Sequence, residues 1–149
     1  MKSKFDVKLN EYLKSMIEVS FEYIGWNKEE VDSIHILCST EESIYFHFFY
    51  SIGGNILERH KVNNYLKVKC NDSEEHQIAA DNIGISDLEQ IISLFKAENR
   101  EIPFSIKITY LPATNKMESI FDYESKLLGS DLMEEDLLQQ WIKSLKKSK

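Results

Sequence analysis

Two prolines and five glycines in 149 residues are too few for a collagen-like, linker-rich or low-complexity chain. Two cysteines, Cys38 and Cys70, do not make a disulfide framework, and a domain of this length does not need one, so both are read as reduced thiols. No long apolar run is present. The opening MKSKFDVKLNEYLKSMIEVSF carries early lysines, but Asp6, Glu11 and Lys14 interrupt any stretch that would export the chain or span a bilayer, so a cytosolic location is expected. No HExxH, CxxC, GxSxG or phosphate-binding loop occurs, and no cofactor or metal is expected.

Positive charge is scarce where negative charge is dense. Residues 1–70 carry ten acidic and nine basic side chains, whereas residues 71–142 carry fifteen against five, and residues 143–149 carry four lysines. The net charge of −7 argues against free nucleic acid as the main partner, because phosphate binding needs a cationic face. The concentration of acids in the second half of the chain has two readings, an ordinary solvated surface and an attraction to a cationic protein.

With 42% hydrophobic residues the chain is the size of one domain with one substantial core. Leu9, Leu13, Met16, Ile17, Phe21 and Ile24 recur at helical spacing over 7–24, with Gly25 as the stop. From 33 the period changes to two: SIHILCS and SIYFHFFY form a hairpin about Thr40, Glu41 and Glu42. Pairing Ser39 with Ser43 sets Ile34 opposite Phe48, Ile36 opposite Phe46, Cys38 opposite Ile44, Leu37 opposite Tyr45 and His35 opposite His47. Both faces are apolar enough to be covered.

A third strand is expected near 56–62. Residues 63–84 stay open, with YLKVK as a possible strand and NDSEEHQ as an exposed connection. Ser86 with Glu89 reads as the capping box of a helix to about 98. FSIKITYL and KMESIFDYE then form a second hairpin about PATN, in which Leu111 pairs with Lys116, Ile106 with Phe121, Tyr110 with Met117 and Phe104 with Tyr123. Asp131 with Glu134 caps a last helix whose stripe is Leu138, Trp141, Ile142 and Leu145, with lysines at its negative end. The fold expected is one α+β domain spanning 1–149: an N-terminal helix, a central antiparallel sheet of hairpins, and flanking and C-terminal helices.

The strand phase of MESIFDYE puts Glu118, Asp122 and Glu124 on the face turned away from the apolar layer. His35 and His47 alone are two imidazoles without a third ligand, and Asp122 and Glu124 are acids without a cleft, so neither metal binding nor carboxylate catalysis is favoured and the chain is not read as an enzyme. Recognition remains. Glu118, Asp122, Tyr123 and Glu124, followed by Asp131, Glu134 and Glu135, form a candidate negative surface with Leu132 and Met133 at its rim.

The order NKEEVDSIHILCSTEESIYFHFFY, SDLEQIISLFKAENR, FSIKITYLPATNKMESIFDYE and LLQQWIKS resembles the YezG-like immunity family of small bacterial antitoxins, over roughly residues 9–145. FDYE (Phe121 to Glu124) and Gln139, Gln140, Trp141 carry most of the resemblance; Val31 stands where that family usually has tryptophan, and its proline there is missing. The resemblance implies a cytosolic inhibitor of a cognate secreted toxin, often a nuclease domain, with no membrane and no direct nucleic-acid contact. An acidic secretion chaperone or adaptor, binding an effector without inhibiting it, is the competing expectation.

Overall fold

In the computed structural model, which describes residues 3–147, the first helix begins earlier than its apolar stripe predicts. Helix α1 spans Lys4–Tyr23 because Ser3 caps it, its hydroxyl oxygen accepting the Asp6 N–H. Gly25 ends it in the left-handed region, with its N–H bonded to Glu22 C=O and the Trp26 N–H to Phe21 C=O.

Five antiparallel strands follow: β1 (Val31–Ser39), β2 (Tyr45–Ile52), β3 (Asn55–Glu58), β4 (Ser105–Leu111) and β5 (Lys116–Asp122), in the order β3-β2-β1-β4-β5. The second hairpin has the expected register: Leu111 faces Lys116, Tyr110 faces Met117 and Ile106 faces Phe121. Phe104, expected opposite Tyr123, precedes β4, and its N–H bonds to Asp122 C=O instead.

The first hairpin is displaced by two residues from the expected pairing. Ser39 faces Tyr45, so Ile34 lies opposite Tyr50, Ile36 opposite Phe48, Cys38 opposite Phe46, Leu37 opposite His47 and His35 opposite Phe49. The cause lies in the corner. Thr40 is drawn to the start of β4, its N–H bonding to Phe104 C=O and its hydroxyl to Pro103 C=O, so residues 40–44 cannot close a tight turn. A two-residue displacement preserves which face each side chain occupies, and the core is therefore as expected.

The expected third strand stops at Glu58, where a 3-10 turn (Arg59–Asn64) carries Arg59 inward; residues 65–70 form no strand. Helix α2 runs over Glu74–Ala97 in place of the shorter helix expected from Ser86. Its cap is Ser73, which accepts the His76 N–H, so the supposed connection NDSEEHQ contains the true helix start and Ser86 lies in the interior.

Helices α1 and α2 cover one face of the sheet, burying Ile34, Ile36, Phe46, Phe48, Tyr50, Ile106 and Ile108. Helix α3 (Glu134–Lys147) covers the other face, where Leu138 and Ile142 meet Leu37, Phe49 and Ile56. It lies over β1 to β3. The outer face of β5 is left open, and Ile120 is 54% exposed there. Of the basic tail, Lys149 falls outside the described residues. Among the described residues no helix is long and apolar enough to cross a membrane.

Candidate partner-binding surface

Strand β5 closes one edge of the sheet, and its alternation sends Glu118, Ile120 and Asp122 to the open face, opposite Thr109, Lys107 and Ser105. Asp122 is not a bare charge. Its Oδ1 accepts the Glu124 N–H at 2.9 Å and its Oδ2 lies 3.3 Å from Lys126 Nζ. The amide, then the Lys126 and Lys107 cations, hold the Asp122 carboxyl below the usual carboxylate range. Between β4–β5 and α3 runs a groove of about 310 Å³ in which Lys107, Asp122, Lys126, Leu132 and Trp141 meet. Lys107 Nζ sits 5.2 Å from the centre of the Trp141 ring.

The segment joining β5 to α3 is held in shape from outside. The Glu41 carboxylate, on the β1–β2 corner, accepts the Ser125 hydroxyl and the N–H groups of Lys126 (2.9 Å) and Leu127 (3.3 Å). Leu127 is buried beneath it, and Gly129 turns the chain with φ 77°. Among the polar Lys126, Ser130 and Asp131 the segment exposes two large apolar side chains, Leu128 at 88% and Met133 at 63%, with Tyr123 beside the acids at 41%. Because Glu41 pins this loop, the backbone beside Leu128 is ordered before a partner arrives, and only the leucine side chain has still to be fixed.

Of the predicted surface residues, Glu118, Asp122, Tyr123 and Glu124 lie together on β5 and just past its end, and Asp131 is exposed on the same connecting segment. Glu134 and Glu135 do not join them. Glu134 is buried, one oxygen accepting the Ser43 hydroxyl under the β1–β2 corner and the other without a partner among the described residues. Glu135 is exposed on the flank of α3 nearer β2, where it accepts from Tyr45 Oη (3.0 Å) and Gln139 Nε2 (3.1 Å), so the helix itself separates it from Asp122. Asp131 does not cap α3 with Glu134. Asp136 does that work, accepting the Met133 N–H at 2.8 Å.

Glu41 and Leu128 had no signal in the sequence beyond a polar corner and one apolar letter among loop residues. A second apolar feature also escaped it: Trp26, 54% exposed with φ 55°, stands over a groove of about 400 Å³ with Phe21, Tyr110 and Met117. A bulky residue in the left-handed region is strained, and strain of this kind gathers at functional positions.

Two of the four histidines, His35 and His47, are packed into the sheet. His35 is buried, its Nε2 2.8 Å from Ser33 Oγ and its ring stacked 4.9 Å from Phe49. Burial, then the Arg59 cation, lowers His47 from 6.5 to about 4. Among the described residues no three His, Cys, Asp or Glu side chains gather as a metal cluster. Cys38 and Cys70 are free thiols; Cys38 packs against Met16, and burial pushes it well above the usual thiol range.

No protein-family model matches the chain, and no curated protein matches it in sequence.

Proposed function

We propose that the chain is a cytosolic immunity protein: an antitoxin that binds a cationic toxin domain, a nuclease in the simplest case, and holds it inactive. The observation that carries this reading is the open outer face of β5, which bears Glu118 and Asp122 and is followed by the exposed Tyr123, Glu124, Leu128 and Met133 of the segment that Glu41 holds. Apolar anchors set among acids, with Lys107 and Lys126 offsetting the charge of Asp122, suit capture of a basic protein: Glu118, Glu124 and Asp131 steer the encounter and the anchors hold it. A nuclease offers the complementary cationic cleft. Inhibition by cover needs no chemistry from the inhibitor.

The surface on which this reading rests is smaller than the one expected from sequence. Glu134 and Glu135 lie away from it and Leu128 joins Met133 at its rim, so the contact proposed is a mixed patch rather than a continuous acidic sheet. The test is to mix the purified protein with the toxic domain encoded by the neighbouring gene. Stoichiometric loss of toxin activity supports the reading; tight binding that leaves activity intact refutes it.

A secretion chaperone or adaptor is the second reading, favoured by one feature, the exposed Trp26 with the apolar groove beside it. In that case Trp26→Ala abolishes binding and reversal of Asp122 and Glu124 does not.

A further inference from the structure

The opposite edge of the sheet is built differently. Strand β3 borders a groove of about 450 Å³ whose floor is the strand itself, residues 54–58. Ile142 and Lys146 of α3 form one wall, and Lys61, Asn64 and Tyr65 form the other. An edge sunk between two walls differs from β5, whose outer face is open.

Backbone geometry says which groups the edge offers. Gly53 and Gly54 have φ 57° and 82°, the pattern of a type I′ two-residue turn, so Ile52 and Asn55 are the hydrogen-bonded pair that closes the hairpin. Bonded and non-bonded pairs alternate along an antiparallel ladder, which makes Tyr50–Leu57 the next bonded pair and turns the N–H groups of Ile56 and Glu58 away from β2. No strand among the described residues pairs with this side of β3. Lys61 and Lys146, facing each other across the groove, have no ion-pair partner among the described residues, while Glu58 is already engaged by Gln139 Nε2 at 3.3 Å.

We propose that β3 accepts an extended acidic peptide segment of a partner protein as a sixth strand. The outward N–H groups supply main-chain bonds, and Lys61 and Lys146 receive carboxylates from alternate side chains of the incoming segment. Unpaired edge strands are usually blunted by lysine on the edge or by a covering loop. Here the lysines stand on the walls and leave the edge reachable. The site is independent of the β5 surface and of the antitoxin reading.

The probe is an end-blocked octapeptide of alternating valine and glutamate, titrated into isotope-labelled protein and followed by amide NMR shifts, with an alternating valine–lysine octapeptide as control. Saturable shifts confined to residues 54–58, Lys61, Tyr65 and Lys146, weakened by salt and absent with the lysine peptide, are expected. Glu58 has φ −68°, which proline adopts without strain, so Glu58→Pro removes one outward donor while leaving the ladder to β2 intact. Measured against the charge-matched Glu58→Gln, it should weaken binding roughly fivefold, the worth of one net hydrogen bond. Lys61→Glu with Lys146→Glu leaves the strand untouched and should abolish binding of the acidic peptide. No local shifts at millimolar peptide, an equal response to the lysine peptide, or equal affinity of the two Glu58 variants overturns the proposal. Concentration-dependent shifts at this edge without peptide also overturn it, by identifying a second copy of the chain as the occupant.

Discussion

Gly84 sets a test in which two physical effects oppose each other and the geometry decides between them. It lies inside α2, where alanine in place of glycine ordinarily adds about 1 kcal/mol of helix stability. A Cβ built there would stand 2.2 Å from Phe46 Cε2, 2.3 Å from Cδ2 and 2.4 Å from Cζ. Carbon atoms in contact sit roughly 3.5–4 Å apart, so the ring would have to retreat by more than an ångström. Phe46 is 5% exposed and its ring lies 5.7 Å from that of Phe48, which leaves little room for that movement. Overpacking of this kind costs about 1–3 kcal/mol, and an overlap this deep belongs at the upper end. Gly84→Ala is therefore expected to lose about 1–2 kcal/mol net, lowering Tm by roughly 3–6 °C for a chain of this length. Urea unfolding of Gly84→Ala, Phe46→Leu and the double variant measures it, and the alanine should become neutral or stabilising once the ring is gone. A higher Tm for Gly84→Ala in the otherwise unaltered protein would refute the reasoning, because helix propensity would then outweigh the contact.

Three further outcomes are expected. Arg59 is buried with its guanidinium bonded to both oxygens of Asp81 (2.5 and 2.7 Å) and 4.7 Å from the Phe48 ring centre, so Asp81→Asn should cost about 3 kcal/mol in urea unfolding by leaving a buried cation without its counter-charge. His47 falls from 6.5 to about 4 in the fold, so the unfolded chain binds the extra proton first and the His47 contribution, full above 6.5, is lost as pH falls to 4; the displacement is worth about 3 kcal/mol, and His47→Gln should flatten the pH dependence of the urea midpoint across that window. Asp122→Lys with Glu124→Lys should slow association with the proposed cationic partner by roughly tenfold at low salt and flatten its salt dependence in stopped-flow mixing, with a modest fall in Tm because Asp122 loses its bonds to the Glu124 N–H and Lys126.

Most of the fold was legible because the periods were strong. Phe104 to Tyr110 and Met117 to Phe121 alternate without interruption, and their register followed from the turn between them. The first hairpin was misregistered because its corner is fixed by a long-range bond, Thr40 to Phe104, that local spacing does not encode. The α2 start was missed for a related reason. Ser73 with Glu74 and Glu75 is a sound cap, but the polar run around it resembles a loop, and Ser86 with Glu89 imitates a second cap inside the helix. The site was half legible: strand phase placed Glu118 and Asp122 on one face, whereas the burial of Glu134 depends on where α3 crosses the sheet. Helical phase alone does not give that crossing, and the same lack of a local signal hid the groove beside β3.

The location of the bound partner is the most direct test of the account. Amide hydrogen exchange of this protein, alone and saturated with the cationic partner proposed for it, should show new protection over residues 116–133, where β5 and the Glu41-held loop present Asp122, Tyr123 and Leu128. Protection confined to α1 and α2 around Trp26, with residues 116–133 unchanged, would contradict it.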